Sequence, residues 1–147
     1  MITVDTSQLE KALKAIDFKG ADLLNIEGSG AAVLSNGMKM RVRKDTAATA
    51  NSVQSHIVEK TDNRVIDEVG PETTYAPWLE YGTGEKAEKG DGRKGGWSYK
   101  DTDGNWHFTR GMKAQPFVRP TAQQDFDKVI RAIGTTFGQL LVQRWPK

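Results

Sequence analysis

The chain has 147 residues, with 21 basic and 19 acidic side chains, two histidines and no cysteine. That length suits one domain able to bury roughly 70% of its unfolded surface, and the lack of cysteine excludes a disulfide framework, a thiolate metal site and a thiol nucleophile. A net charge of +2 lacks the clustered excess of a nucleic-acid binder.

No apolar run approaches the ~20 residues of a membrane helix. Met1 to Asp5 lacks the basic-then-apolar plan of a signal peptide. The expectation is a chain made in a cytoplasm, with no membrane partner. There is no internal repeat, no phosphate loop ending in Lys-Ser/Thr, no HExxH and no GxSxG.

Ile2 to Val4 reads as a short opening strand. Ser7 with Glu10 fits a capping box, and Leu9, Ala12, Leu13 and Ile16 follow at helical spacing. Asp17 to Gly20 breaks that helix. Leu23, Leu24, Glu27, Ala31, Leu34 and Met38 give a second helical pattern. Gly28 and Gly30 inside it each cost about 1 kcal/mol relative to alanine. Either close packing or a break in the helix would account for them. Thr46 to Asn51 is small and polar and ends the pattern.

Ser52 to Lys60 and Arg64 to Val69 read as strands around a Thr61-Asp62-Asn63 turn, closed by Gly70-Pro71. Tyr75 to Thr83 is a compact aromatic segment. Gly82 to Gly96 holds six glycines and mixed charges without periodicity, the pattern of an exposed flexible loop. Trp97 to Tyr99 and Trp106 to Phe108 flank Asp103-Gly104, a hairpin signal. Pro116 and Pro120 bracket an extended link. Phe126, Val129, Ile130, Ile133, Phe137, Leu140 and Leu141 form one apolar stripe of a long last helix.

Segregated helices and strands predict an α+β fold in a single domain over 1–147. It would have a small antiparallel sheet, N-terminal helices and one long C-terminal helix packed on one face, and an exposed loop at about 84–96.

His56 and His107 lie on distant predicted strands without short ligand spacing, so no metal or cofactor is expected. Glu59, Asp67, Glu68 and Glu80 are not brought to any set separation for acid–base work. No residue reads as catalytic. Lys39, Arg41, Arg43 and Lys44 complement a helix C-terminus or contact phosphates. The loop cations are interleaved with Glu85, Glu88 and Asp91, which dilutes their field. The aromatics between Tyr75 and Phe108 suit a core and a subunit interface better than base stacking.

Three stretches carry a resemblance: Val42 to Ala47 leading to Ser52-Val53, then YAPWLEYGTG at 75–84, then AQPFVRPTA at 114–122. In this order and spacing they resemble the head–tail joining, or tail-completion, family of long-tailed double-stranded DNA bacteriophages. The likeness covers about residues 20 to 145. Lys44 and Ala47 depart from it, where an apolar residue and a glycine are usual. In the motifs themselves, Pro77, Pro116 and Pro120 set backbone direction, Phe117 anchors a link, and Glu80 can pair with an arginine or a backbone N–H.

The resemblance implies a non-enzymatic virion neck protein assembled in the bacterial cytoplasm. Its copies would form a ring, hexameric or dodecameric with six preferred, between the head connector or stopper and the tail terminator or tail tube. Genomic double-stranded DNA would pass through it non-specifically. The interface expected on this basis comprises Tyr75, Pro77, Trp78, Glu80, Tyr81, Thr83, Arg93, Pro116, Phe117 and Arg119. Arg41, Arg43 and Lys44 are the expected channel contacts. A tail terminator capping the tube and a small nucleic-acid-binding module are the alternatives.

Overall fold

The computed structural model describes residues 16, 18–43, 47–62 and 64–145. The expected opening strand, the capping box at Ser7 and Lys44 lie outside them.

Helix α1 (Gly20–Arg41) has 22 residues and runs unbroken through both glycines. Its first turn is fixed by Asp22, whose Oδ2 accepts the Lys19 amide N–H at 2.8 Å. This is the return half of a capping box, and a carboxylate there also suits the helix dipole. A Cβ on Gly30 would lie 3.0 Å from Ile133 and 3.2 Å from Val129, whereas Gly28 has nothing within 4 Å. Close packing therefore accounts for Gly30 and not for Gly28.

Helix α2 (Ala47–Asn51) follows where the helical pattern of α1 ends, with Ala47 in the place where the resembled family has a glycine. Its alanines are good helix formers, Ser52 N–H closes it on the Ala48 carbonyl at 3.0 Å, and Thr49 is wholly buried. Strands β1 (Val53–Lys60) and β2 (Val65–Pro71) follow as an antiparallel pair. Thr61 N–H donates to the Arg64 carbonyl at 2.7 Å across the turn.

Helix α3 (Ala76–Tyr81) replaces the extended or turning chain expected around Pro77. Proline is tolerated in a first helical turn because its missing N–H has no partner there in any case. Gly82 leaves the helix at φ 74°. A side chain there would meet the Met112 carbonyl and Ala114 N at 2.7 Å.

The 84–96 loop is exposed as expected, but it is tied down. Thr83 N–H donates to the Met112 carbonyl at 2.8 Å and Glu85 N–H to the Arg110 carbonyl at 2.9 Å. Glu85 Oε1 accepts the Gly95 N–H at 2.9 Å. Mixed polar sequence hides these main-chain bonds, which carry no periodicity.

Strands β3 (Trp97–Lys100) and β4 (Trp106–Thr109) pair antiparallel, with Trp97 opposite Thr109 and Lys100 opposite Trp106. Asp101 Oδ1 accepts the N–H groups of Asp103 and Asn105 at 3.0 and 2.8 Å, an Asx turn that fixes the register. Helix α4 (Val118–Gln124) starts inside the expected Pro116–Pro120 link. Pro120 is its third residue, still among the positions whose N–H groups have no intrahelical partner. Helix α5 (Phe126–Arg144) is the long last helix.

The fold is thus α+β, with its antiparallel strands divided between two two-stranded sheets. The chain divides into two compact units. One comprises Met1–Val33, Ser55–Glu68 and Phe126–Lys147; the other comprises Leu34–Gln54 and Val69–Asp125. In the first unit, Phe18 stacks on Phe137 at 5.3 Å and Arg144 pairs with Asp22 at 2.8 Å. The second unit has its core in Met38, Val42, Val53, Ala76, Leu79 and Phe117.

Candidate functional site

The second and third motifs meet in the second unit. Helix α4 has no capping side chain of its own, because Phe117 occupies the N-cap position. Glu80, from the last turn of α3, supplies the acceptor. Its Oε2 receives the N–H of Phe117 at 2.7 Å and of Val118 at 3.0 Å. Its Oε1 receives the Arg119 N–H at 3.1 Å and Nε at 2.9 Å.

The arrangement is reciprocal. Gln115 N–H donates to the Leu79 carbonyl at 2.7 Å, and Arg119 Nη2 to the Glu80 carbonyl at 3.2 Å. Each helix therefore satisfies the end groups that the other leaves open. Burial pushes the Glu80 carboxyl up, but the three amides and Arg119 outweigh it and hold it below its ordinary value.

Arg119 extends the joint to the loop. Its Nη2 donates to Glu88 Oε2 at 2.7 Å, and its guanidinium lies 4.7 Å from the Tyr81 ring centroid. Glu88 first, and then Glu80, hold that guanidinium more firmly protonated than usual. Lys89 Nζ approaches the same ring at 5.9 Å.

The expected interface residues divide between inside and outside. Glu80 and Phe117 are 4% and 1% exposed and belong to the joint and the core. Tyr75 is half-buried against that core, and half-buried Thr83 accepts the Met112 N–H on Oγ1 at 3.0 Å. Pro77, Pro116, Trp78 and Tyr81 are exposed, Trp78 to 59%. Arg93 is exposed and lies 5.6 Å over the Trp97 ring.

Of the expected channel cations, Arg41 and Arg43 lie among the described residues. Arg41 Nη1 pairs with Asp125 at 2.5 Å and donates to the Gly37 carbonyl at 3.1 Å and Thr121 Oγ1 at 3.2 Å. Asp125 is 2% exposed, so this cation closes the end of α1 onto the end of α4. Arg43 is exposed.

Sequence reasoning missed three features: the Arg41–Asp125 pair, the Glu27–Asp67 carboxyl pair, and a groove. Burial, and then Asp67, raise the Glu27 carboxyl above its ordinary value. A sequence signal existed only for the first, in the cation at the end of α1. His107 Nε2 lies 2.7 Å from Asp101 Oδ2. No group of three metal-ligating side chains occurs among the described residues. The groove has a volume of about 350 Å³ and mainly apolar walls that include Pro71, Ala76, Pro77, Tyr81 and Val118.

No family model, curated protein or solved structure matches the chain. No helix among the described residues is long and apolar enough to cross a membrane.

Proposed function

We propose that the chain is a structural component of the neck of a long-tailed double-stranded DNA bacteriophage. Its copies form a ring that joins the DNA-filled head connector to the tail and surrounds the DNA channel. The reading starts from the motif resemblance. The observation that carries it further is the Glu80 joint, in which YAPWLEYGTG and AQPFVRP interlock as one architectural element. Two short strings that bind each other through main-chain groups are what a scaffold needs.

The joint spends its polar groups on the fold. Glu80 takes four donors from the Phe117–Arg119 turn, and Arg119 is occupied by Glu80 and Glu88. That leaves its exposed aromatics, Trp78 and Tyr81, as the contribution to partners. With Arg41 turned onto Asp125, DNA contact in the channel is weak and independent of sequence, as a conduit for moving DNA requires.

Electron microscopy of a lysate from the parent phage with this gene deleted tests the proposal. DNA-filled heads beside separate, finished tails are expected. Abnormally long tails would move the protein to the tail terminator position. Intact, infectious virions would overturn a structural role in the particle.

A further inference from the structure

The second unit carries both a convex and a concave apolar feature. On the β3–β4 hairpin, Ser98 lies opposite Phe108 and Lys100 opposite Trp106, and directly opposed residues share a face. Trp106 and Phe108 are two apart on β4, so both stand on that face. They are 72% and 64% exposed. Tyr99 and His107 stack on each other on the other face, at 5.3 Å. The concave feature is the groove of about 350 Å³ beside α3, with room for an aromatic side chain.

Charge matches the two. The Lys100 ammonium flanks Trp106, is exposed, and has no ion-pair partner among the described residues. The exposed Glu72, which already accepts the Gln54 side-chain N–H at 3.3 Å, stands between Pro71 and Thr73, both of which line the groove. A cation at the edge of the convex patch thus finds a carboxylate at the edge of the concave one.

Area argues against a single contact. Two aromatic side chains contribute roughly 300–500 Å² on one side. A standard stable interface buries about 800 Å² on each partner. One such contact does not hold two copies together, whereas a closed ring gives every copy two contacts. Patch and groove are different surfaces, so the contact closes as a head-to-tail ring or as a two-fold dimer that exchanges it twice.

We infer that the Trp106–Phe108 face of one copy docks into the groove at Pro71–Pro77 of a second copy, with Lys100 on Glu72. The inference rests on the ring reading above.

The absence of native cysteine permits a clean test. Ser98→Cys and Thr74→Cys are made in separately tagged copies, mixed, and oxidised with copper phenanthroline. A mixed disulfide is expected at about ten times the yield of Ser98→Cys with Thr135→Cys, an exposed position on α5. Adding Trp106→Ala to the Ser98→Cys copy removes that excess without lowering its melting temperature, since the indole is exposed. Lys100→Glu also removes it, and Glu72→Lys on the other copy restores it. Yields equal to the control pair, or indifference to Trp106→Ala, would overturn the contact. The readout is independent of the microscopy: crosslinking with intact deletion virions keeps the contact and overturns the neck role. Separated heads and tails without crosslinking do the reverse.

Discussion

The Glu80 carboxylate accepts the Phe117 N–H at 2.7 Å across 37 residues of chain, so one short helix caps the start of another. The bond sits beside an ion pair to Arg119, whose side chain is partly exposed. Neither helix has a capping side chain of its own.

Removing that carboxylate leaves the buried helix donors at Phe117–Arg119 without their acceptor, while Arg119 keeps Glu88. Glu80→Ala is expected to cost about 2–4 kcal/mol, because several buried helix amides lose their acceptor at about 1–3 kcal/mol each before relaxation. Glu80→Gln keeps an acceptor oxygen and costs about 1–3 kcal/mol. Urea unfolding of the two variants checks both values; equal stability with the parent chain would remove the joint from the fold's energetics.

Acid should weaken the same joint. Glu80 has a folded value below the ordinary 4.5, so its contribution is fully present above pH 4.5 and is lost as pH falls through the folded value. Asp22 behaves alike, lowered first by the Lys19 N–H and then, against some desolvation, by Arg144. Unfolding free energy should therefore fall as pH drops below the ordinary carboxyl values, with a shallower fall in Glu80→Gln. A pH series of urea titrations measures the difference in slope.

Glu27 carries the opposite sign. Burial and the Asp67 carboxylate raise its folded value, and Asp67 Oδ1 is itself buried without a hydrogen-bond partner. The penalty is absent well below pH 4.5, grows as pH rises through the raised folded value, and stays at neutral pH. Glu27→Gln should thus stabilise the chain at pH 7 by about 0.5–1 kcal/mol and lose that advantage at pH 4. Melting temperatures at the two pH values test it.

Two glycines of α1 should respond oppositely to alanine. Gly28 meets nothing within 4 Å, so Gly28→Ala gains about 0.5–1 kcal/mol of helix propensity. On Gly37 a Cβ would lie 2.5 Å from Asp125 Oδ2 and 2.8 Å from Thr121 Cγ2. Gly37→Ala disturbs the Arg41–Asp125 pair and costs about 1–3 kcal/mol. Paired thermal melts give the two signs directly.

The elements legible in the sequence are those whose signals are local. The β3–β4 hairpin follows from alternating aromatics around Asp103-Gly104, and α5 from its apolar stripe. Phe117 is readable as an anchor because a large apolar residue between two prolines has few other uses, and it is 1% exposed. Helices α3 and α4 are not readable. Each is shorter than two full turns, each carries a proline, and the groups that satisfy their ends come from the other. Glu80 is legible as a residue able to pair with an arginine or a backbone N–H. That both partners belong to the same chain depends on a contact 37 residues away, which no local pattern records. For Arg41, proximity to a helix C-terminus is local and readable, and its pairing with Asp125 is not.

The reciprocal capping of α3 and α4 also constrains the order of events during synthesis. Helices of six and seven residues lie well below the ~12–15 needed for marginal stability alone. When Glu80 leaves the ribosome, the amides it will bind, 37 residues on, have not yet emerged. Helix α3 therefore waits, unformed, for residues 115–119 to emerge, and both helices appear together in one late step. A nascent chain with Trp78 outside the ribosome and Gln115 still inside should be cleaved readily by protease around Trp78, and one with Gln124 outside should not.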